Sequence, residues 1–418
     1  MTTIIDRPAI LGGIPIRAND YPSWPVWDDG ERDGLQRVLD DGGWWQGNGN
    51  VAGAFAAEFA GYHGARYGLA LTNGTHTLEA ALVACDVGDG DEVIVPGMTF
   101  VASAGAALAV NGKPVLVDID PDTLCIDVAA AEAAITPRTK AIIAVHVAGA
   151  AADLDALTDL CARPAPPDRG LRARPRHVLA RARCGFVGRL RQLLDAAIEA
   201  EDRRGRRRAD LQRRSAARSC VGIRRLWPGK GWVVLPPSHL RIEPRMTEWQ
   251  GAVLTAQLGR FPEQNRVRND NAVVLNAALD EIPGLRTPRR DPRMDSQGNY
   301  CFVFHYDSEQ FAALPLRVFE RALGAEGIPM SVSYPSLSDL DLFRNRNFAP
   351  RLRDHAPAID YSTLHLPRAE HAAASTVWLQ HRLLLANRED VLDVARAAAR
   401  IQASAGEIVT RCEAGELS

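Results

Sequence analysis

Residues 92–120, EVIVPGMTFVASAGAALAVNGKPVLVDID, contain a strand, a helix and a second strand in direct succession. The apolar runs at 92–97 and 114–120 have the length of buried strands, and the alanine-rich stretch at 100–112 between them favours a helix. The alternation continues on both sides, with strand-like runs at 67–72 and 140–147 and helical patterns at 31–39, 51–62, 75–85, 128–135 and 151–162. Since parallel strands connected by helices are buried on both faces, the sequence predicts an α/β fold with a large, mostly parallel sheet.

The end of the chain predicts a smaller α+β domain. Helical patterns occur at 247–261, 265–282, 314–327 and 389–409, and strand patterns at 299–307 and 377–386. The alternation at 299–307 is typical of an antiparallel strand. We therefore divide the chain into an N-terminal arm (1–28), the first part of a large domain (29–163), an anomalous arginine-rich segment (164–245), and connecting helices with a small C-terminal domain (246–418).

Composition excludes several classes of protein. The 418 residues have a formal net charge of -2, so the chain as a whole shows no electrostatic signature of nucleic-acid or membrane binding. Seven cysteines are scattered without metal-ligand or disulfide spacing, which is typical of a reducing compartment. We find no secretory leader pattern and no apolar run of the roughly 20 residues that span a bilayer. We expect a cytoplasmic protein.

A candidate anion site lies in LALTNGTHTLEAAL, residues 69–82. A strand-like run ends at Thr72, a turn follows, and a helix opens at Thr75. Free backbone N–H groups and the positive end of the helix dipole at such a turn suit a phosphate group. Gly74 permits a close backbone approach, and Thr75 offers a hydroxyl donor. The alternative is a plain structural turn, because many α/β proteins have a similar one without any ligand.

Two further strand ends carry residues of interest. In VPGMTFVASAGAAL, residues 95–108, Phe100 follows a strand and could stack on a flat heterocycle, although an aromatic residue there is more often part of the core. In AIIAVHVAGAAADLDAL, residues 141–157, His146 ends a strand, and a single histidine in that position is usually structural.

In this order and spacing, the segments resemble the DegT/DnrJ/StrS family of pyridoxal-phosphate (PLP) aminotransferases of fold type I. The motifs that carry the resemblance are GGWWQGNGN (42–50), TNGTHTLEAAL (72–82), GDEVIVPGMTFVASA (90–104), PVLVDIDPDTLCID (114–127), AITPRTKAIIAVHVAG (134–149), RMTEWQGAVLTAQL (245–258) and VWLQHRLLLA (377–386). The Trp44-Trp45 pair and the last motif favour the branch of aminohydroxybenzoate synthases and scyllo-inosose aminotransferases.

The resemblance implies a cofactor, substrates and a partner. PLP would be held with its phosphate at Gly74 and Thr75 and its ring against Phe100. Glutamate or glutamine would donate an amino group to a keto-sugar, a keto-cyclitol or a related ring, in the biosynthesis of amino sugars or antibiotics. The family also implies a homodimer with sites built from both subunits. It implies no nucleic-acid or membrane partner.

The segment that should complete this chemistry is anomalous. Residues 163–225 contain 19 arginines and six acidic residues. The family places there a lysine that bonds to the cofactor, an aspartate that pairs with its ring nitrogen, and further phosphate ligands. The corresponding motifs EDxAH, SK followed by GEGG, and SN are absent. The whole chain has three lysines: Lys113 and Lys140 at strand edges, and Lys230 nearer to the expected substrate loop.

A shift of reading frame explains the segment. With CGN arginine and CTN leucine codons, reading from the second base turns residues 168–174 into IEDCAH and residues 240–244 into SGSN. Residues 190–211 yield an SK followed by GDGG, and the lysine codon spans Glu199 and Ala200. We infer that about 164–245 is translated out of frame, in the gene or through sequencing errors. The alternatives are a nucleic-acid-binding insert, which lacks aromatic residues and a recognisable module, and a disordered linker.

Two functions remain open from the sequence. One is an aminotransferase by descent; the other is a catalytically inactive homologue, such as a pseudogene product or a passive partner of an intact enzyme. An arginine-rich segment cannot be buried unpaired without a cost of several kcal/mol per charge. We therefore expect the middle to be poorly ordered and cofactor binding to be weak.

Overall fold

A four-stranded parallel sheet forms the centre of the larger part of the molecule. The computed structural model describes residues 7–65, 67–162, 177–181, 244–345 and 361–417. The strands of this sheet are β1 (Glu92–Pro96), β2 (Lys113–Val117), β3 (Thr139–Val145) and β4 (His177–Arg181), in the spatial order β2-β1-β3-β4. All three pairings are parallel, which confirms the predicted fold class.

Helices cover this sheet and connect its strands. They are α1 (Asp29–Asp41), α2 (Val51–Tyr62), α3 (Gly74–Ala84), α4 (Ala102–Ala109), α5 (Val128–Ala133) and α6 (Leu154–Ala162). Every residue of β1 is buried, and successive side chains of a strand point to opposite faces. Both faces of the central strand are therefore covered, as its continuous apolar sequence predicts.

A second, antiparallel sheet organises the C-terminal part. Its strands are β5 (Leu285–Arg286), β6 (Cys301–Tyr306) and β7 (Thr376–Gln380), in that spatial order. The remaining helices are α7 (Glu248–Asp280), α8 (Leu316–Ala325), α9 (Asp341–Arg344), α10 (Pro367–Ser375), α11 (Arg388–Ala403) and α12 (Ala405–Glu413).

Strand β6 joins the two parts through its alternation. Cys301 and Val303 belong to the core of the parallel sheet, whereas Phe302 and Phe304 belong to a second core with α8 and α11. Because one strand supplies side chains to both cores, the small sheet is fixed against the large one.

Several predicted elements have different limits in the structure. Residues 67–72 do not form a strand, and Leu71 makes only an isolated bridge with Arg245. The stretches 247–261 and 265–282 are one helix, α7, which continues through Pro262. The predicted strand at 377–386 ends at Gln380 and becomes a 3-10 helix at His381–Leu385. The predicted C-terminal helix is divided at Ser404.

Only a small part of the arginine-rich segment is described. Residues 177–181 form β4 alongside β3, and residues 244–245 precede α7. The prediction of poor order for the rest of 164–245 concerns residues outside the described part, and Lys230 also lies outside it.

The N-terminal arm is fastened to the small domain by one buried carboxylate. Glu326, 0% exposed, accepts hydrogen bonds from the backbone N–H groups of Ala9 (2.9 Å) and Ile16 (2.8 Å). It also pairs with Arg400 at 3.0 Å. Leu11 lies in the core beneath these contacts. The buried charge is thus compensated by three donors from two distant parts of the chain.

We expect Glu326→Gln to lower the free energy of unfolding by about 2 kcal/mol or more, because it leaves the Arg400 guanidinium without its carboxylate partner. Urea denaturation would measure this. The control is Glu407→Gln, since Glu407 pairs with Arg7 at 2.5 Å while 47% of its side chain is exposed. That change should have an effect below about 1 kcal/mol. Equal losses in the two variants would contradict the assignment.

Candidate active site

The turn before α3 presents two free backbone donors. Asn73 is the N-cap of α3, and its Oδ1 accepts a hydrogen bond from the His76 backbone N–H at 3.0 Å. The Thr77 N–H bonds to the Asn73 carbonyl at 3.1 Å. The N–H groups of Gly74 and Thr75 have no acceptor within the described part of the chain. The geometry therefore leaves open the two donors that the sequence singles out for an anion.

The start of α7 holds this turn in place. The Thr72 N–H donates to the Pro244 carbonyl at 2.8 Å, and Gln250 Nε2 donates to the Thr72 carbonyl at 3.3 Å. Sequence reasoning did not single out Gln250. The available signal was its place in the RMTEWQ motif, but its partner is 178 residues away in the chain.

Phe100 lies at the carboxyl end of β1, beyond the buried residues Met98 and Thr99. Its side chain is 44% exposed, so it is not part of the core. Helix α4 begins at Ala102 rather than at Phe100, and α3 packs against α4. The side chain of Phe100 is thus partly exposed to solvent, near the packed pair of helices α3 and α4.

The loop after β3 brings the small domain to the same edge of the sheet. His146 is buried, and its Nδ1 accepts a hydrogen bond from the Ala152 N–H at 3.0 Å, which agrees with the structural role expected for it. Gly149 has φ +93°, and a Cβ there would lie 2.6 Å from the Asn299 backbone nitrogen. Only glycine allows the chain before β6 to approach this closely.

The two lysines that the structure describes lie at the amino ends of β2 and β3, at the opposite edge of the parallel sheet. Lys113 is the first residue of β2, with Nζ 3.8 Å from Glu92 Oε1. Lys140 is the second residue of β3, and its Nζ donates to the Asp86 carbonyl at 3.0 Å. The five steps from Lys140 to the carboxyl end of β3 cover about 16 Å at about 3.3 Å per residue. A lysine side chain does not span that distance.

A pocket lies beside the start of α7. It has a volume of about 530 Å³ and lies between the glycine-rich loop 43–50 and Glu248. Glu248 is fully buried and accepts hydrogen bonds from the first two N–H groups of α2, at Val51 and Ala52. Trp44 packs on Trp249, with ring centroids 5.9 Å apart. The GGWWQGNGN motif therefore packs on the first turn of α7.

In the described residues we find no cluster of side chains suited to a metal ion.

Comparison with known proteins gives the family. The sequence pattern described as the DegT/DnrJ/EryC1/StrS aminotransferase family matches residues 28–165 and 229–393. This chain belongs to the DegT/DnrJ/EryC1/StrS aminotransferase family. The family pattern has no match at 166–228, within the segment that the sequence marks as anomalous.

Individual relatives agree with the family and with the fold. An L-glutamine:2-deoxy-scyllo-inosose aminotransferase from Streptoalloteichus tenebrarius is 36% identical over 426 residues, covering 96% of this chain and 98% of the relative. The crystal structure of a 3-amino-5-hydroxybenzoic acid synthase has a TM-score of 0.71 at 29% identity, covering 94% of this chain and all of that one. NtdA from Bacillus subtilis, with bound cofactor PMP, has a TM-score of 0.67 at 20% identity and covers 93% of this chain and 86% of that one, a likeness of fold alone.

Two sequence expectations are thereby confirmed, the aminotransferase family and the α/β fold of its members. The branch suggested by Trp44-Trp45 and the VWLQHRLLLA motif agrees with the first two relatives. Within the described residues, no helix is both long and apolar enough to cross a bilayer.

We expect Asn73→Ala to lower the free energy of unfolding by about 1 kcal/mol, because the cap of α3 is lost. Asn387→Ala is the matched control, since Asn387 caps α11 by accepting from the Asp390 N–H at 2.9 Å. Chemical denaturation should give similar losses for both. Asn73→Ala should in addition increase amide hydrogen exchange in the first turn of α3 and leave α11 unchanged. Unchanged exchange in α3 would contradict the capping role.

Proposed function

We propose that the chain descends from a PLP-dependent aminotransferase that moves an amino group from glutamine or glutamate to the keto group of a cyclitol, a sugar or a related ring. The observation that carries the proposal is the near full-length similarity to an enzyme named for glutamine and 2-deoxy-scyllo-inosose. The capped turn with two open N–H donors supports it independently, because it suits the phosphate of the cofactor.

The residues present fit the phosphate and the ring of PLP. Gly74 and Thr75 would bind the phosphate through their N–H groups, with the Thr75 hydroxyl as a further donor. Phe100 would lie against the ring. When bound, PLP supplies an electron sink for breaking bonds at the carbon that carries the amino group. Gln250 would hold the turn against the start of α7 through its hydrogen bond to the Thr72 carbonyl.

Within the described part of the chain, the lysines do not fit the covalent attachment of PLP. Both described lysines lie at the amino edge of the sheet, away from the proposed phosphate turn. This observation favours a second candidate function, a catalytically inactive homologue that binds the cofactor weakly and without a covalent bond.

We also propose that residues 164–245 are out of frame. The interruption of the family pattern at 166–228 supports this, because it falls inside the predicted interval. In the intact frame, residues 29–245 would form the large PLP-binding domain, following the arm (1–28) and preceding the small domain (246–418).

The proposed partners are small molecules and a second copy of the chain. Exposed aromatic side chains at Trp27 (61%) just before α1, at Trp44 (51%) between α1 and α2, and at Tyr62 (44%) at the end of α2 support a homodimer that covers them. A cytoplasmic location is part of the proposal, because the cysteines of the sequence are scattered without disulfide spacing.

Cofactor binding tests both candidate functions. Equilibrium dialysis should show weak, reversible PLP binding, and Thr75→Val should reduce the affinity about tenfold through the loss of one hydrogen bond to a charged group. Thr410→Val is the control, because Thr410 bonds only locally, to the Gly406 carbonyl at 2.9 Å. Borohydride treatment followed by mass spectrometry should leave Lys113 and Lys140 unmodified. A reduced adduct on either lysine, together with a visible absorbance band, would contradict the inactive homologue and favour an active aminotransferase.

Sequencing the DNA that encodes residues 160–250 tests the frame proposal. We expect two compensating single-base changes, and their correction should yield a lysine codon across Glu199 and Ala200. Expression of the corrected reading frame should give a protein that retains PLP through dialysis. An uninterrupted, correctly sequenced frame that encodes the present residues throughout would refute the proposal.

A further inference from the structure

His76 makes a short hydrogen bond beside the proposed phosphate turn. Its Nδ1 lies 2.6 Å from Thr72 Oγ1 and 3.3 Å from Asn73 Nδ2. An amide nitrogen can only donate, so Nδ1 is an acceptor in the neutral ring and the Thr72 hydroxyl donates to it. In this state the hydrogen of the Thr72 hydroxyl is directed at the histidine.

The position of His76 connects it to the open donors. It is the third residue of α3, directly after Gly74 and Thr75, and its own N–H is already bonded to Asn73 Oδ1. Its backbone is therefore not available to an anion at the turn. Its half-buried ring folds back onto the residue that ends the preceding segment.

We propose that His76 is a proton-linked positioning residue for the phosphate group. When phosphate binds at Gly74 and Thr75, the ring takes up one proton from solvent, and Nδ1–H then donates to Thr72 Oγ1. The Thr72 hydroxyl hydrogen is released from the histidine and turns to a phosphate oxygen. One proton is gained from water and one hydrogen bond is reversed. The inference rests on the proposed phosphate site.

The electrostatic surroundings support this reversal. Burial lowers the pKa of His76 below its usual value, so the ring of the empty site is neutral at neutral pH. Glu79, one turn further along α3, is buried and its pKa is raised, also by burial. Helix α4, packed against α3, has no titratable residue.

Two more charged residues lie at the start of α7. Arg245 bridges to Leu71, next to Thr72, and Glu248 is engaged with α2. A bound phosphate adds a charge of about -1.5 to -2 beside the ring. That charge favours the protonated imidazole and raises its pKa. A raised pKa in the complex means that affinity is greatest at low pH and is lost as pH rises through that pKa.

The test uses the full chain and inorganic phosphate. Proton NMR of the histidine C2–H resonances, assigned with His76→Asn, should show that phosphate raises the pKa of His76 by about one unit or more. The charge of free phosphate also changes with pH. The pH dependence of phosphate affinity in the native chain is therefore compared with that in His76→Asn. The loss of affinity between about pH 6 and pH 8 should be about tenfold greater in the native chain than in His76→Asn.

Thr72→Val supplies a second readout that does not depend on the behaviour of His76→Asn. Without the hydroxyl donor, the neutral ring loses the hydrogen bond that favours it, so the pKa of His76 in the phosphate-free chain should rise. An unchanged pKa would refute the hydrogen-bond reversal. Phosphate binding without any shift at His76 would refute the proton linkage and leave the phosphate turn intact. No binding at any pH would refute the phosphate site itself.

Discussion

The parallel pairing of β1 with both β2 and β3 is the constraint on which the site depends. Parallel strands have their carboxyl ends at one edge, so the segments that follow β1 and β3 emerge side by side. Phe100 and His146 are brought to that edge from residues 46 apart in the chain. The same constraint keeps Lys113 and Lys140 at the other edge, where they neutralise carboxylates. A one-residue slip would turn the buried side chains of β1 to the opposite face, so the register is firmly set.

Elements with a clear apolar period were predictable, and those decided by distant contacts were not. Helix α2 has the predicted limits, and β1 differs from its prediction by a single residue, because both are short apolar segments bounded by turn residues. The sequence predicts two helices, at 247–261 and 265–282, where the structure has the single helix α7 with Pro262 inside it. Its first half packs against α2 and its second half against the small sheet, and this packing outweighs the cost of about 3 kcal/mol for an interior proline. Such contacts between distant segments cannot be read from local sequence.

The candidate site divides in the same way. Gly74, Thr75 and Phe100 could be named because a strand–turn–helix pattern is local, and the structure places them at a capped helix start and at an exposed strand end. Their roles toward a cofactor remain proposals. Gln250 and His76 could not be weighed from the sequence. Gln250 donates to the Thr72 carbonyl, which is 178 residues away in the chain. His76 is relevant only through the hydrogen bond between its ring and Thr72 Oγ1.

The described segments on both sides of the arginine-rich segment explain why the family fold is recognisable. This holds although the sequence lacks the family motifs that supply the lysine and the aspartate. The core of the parallel sheet is built from residues on β1, β2 and β3 together with Cys301 and Trp378 from the small sheet. Strand β4 pairs with β3 through backbone groups, and every non-proline residue carries those groups. Under the proposed frame change, the middle segment would lack the lysine that the family resemblance implies, while the turn at Thr72 is anchored to the start of α7 by Pro244 and Gln250.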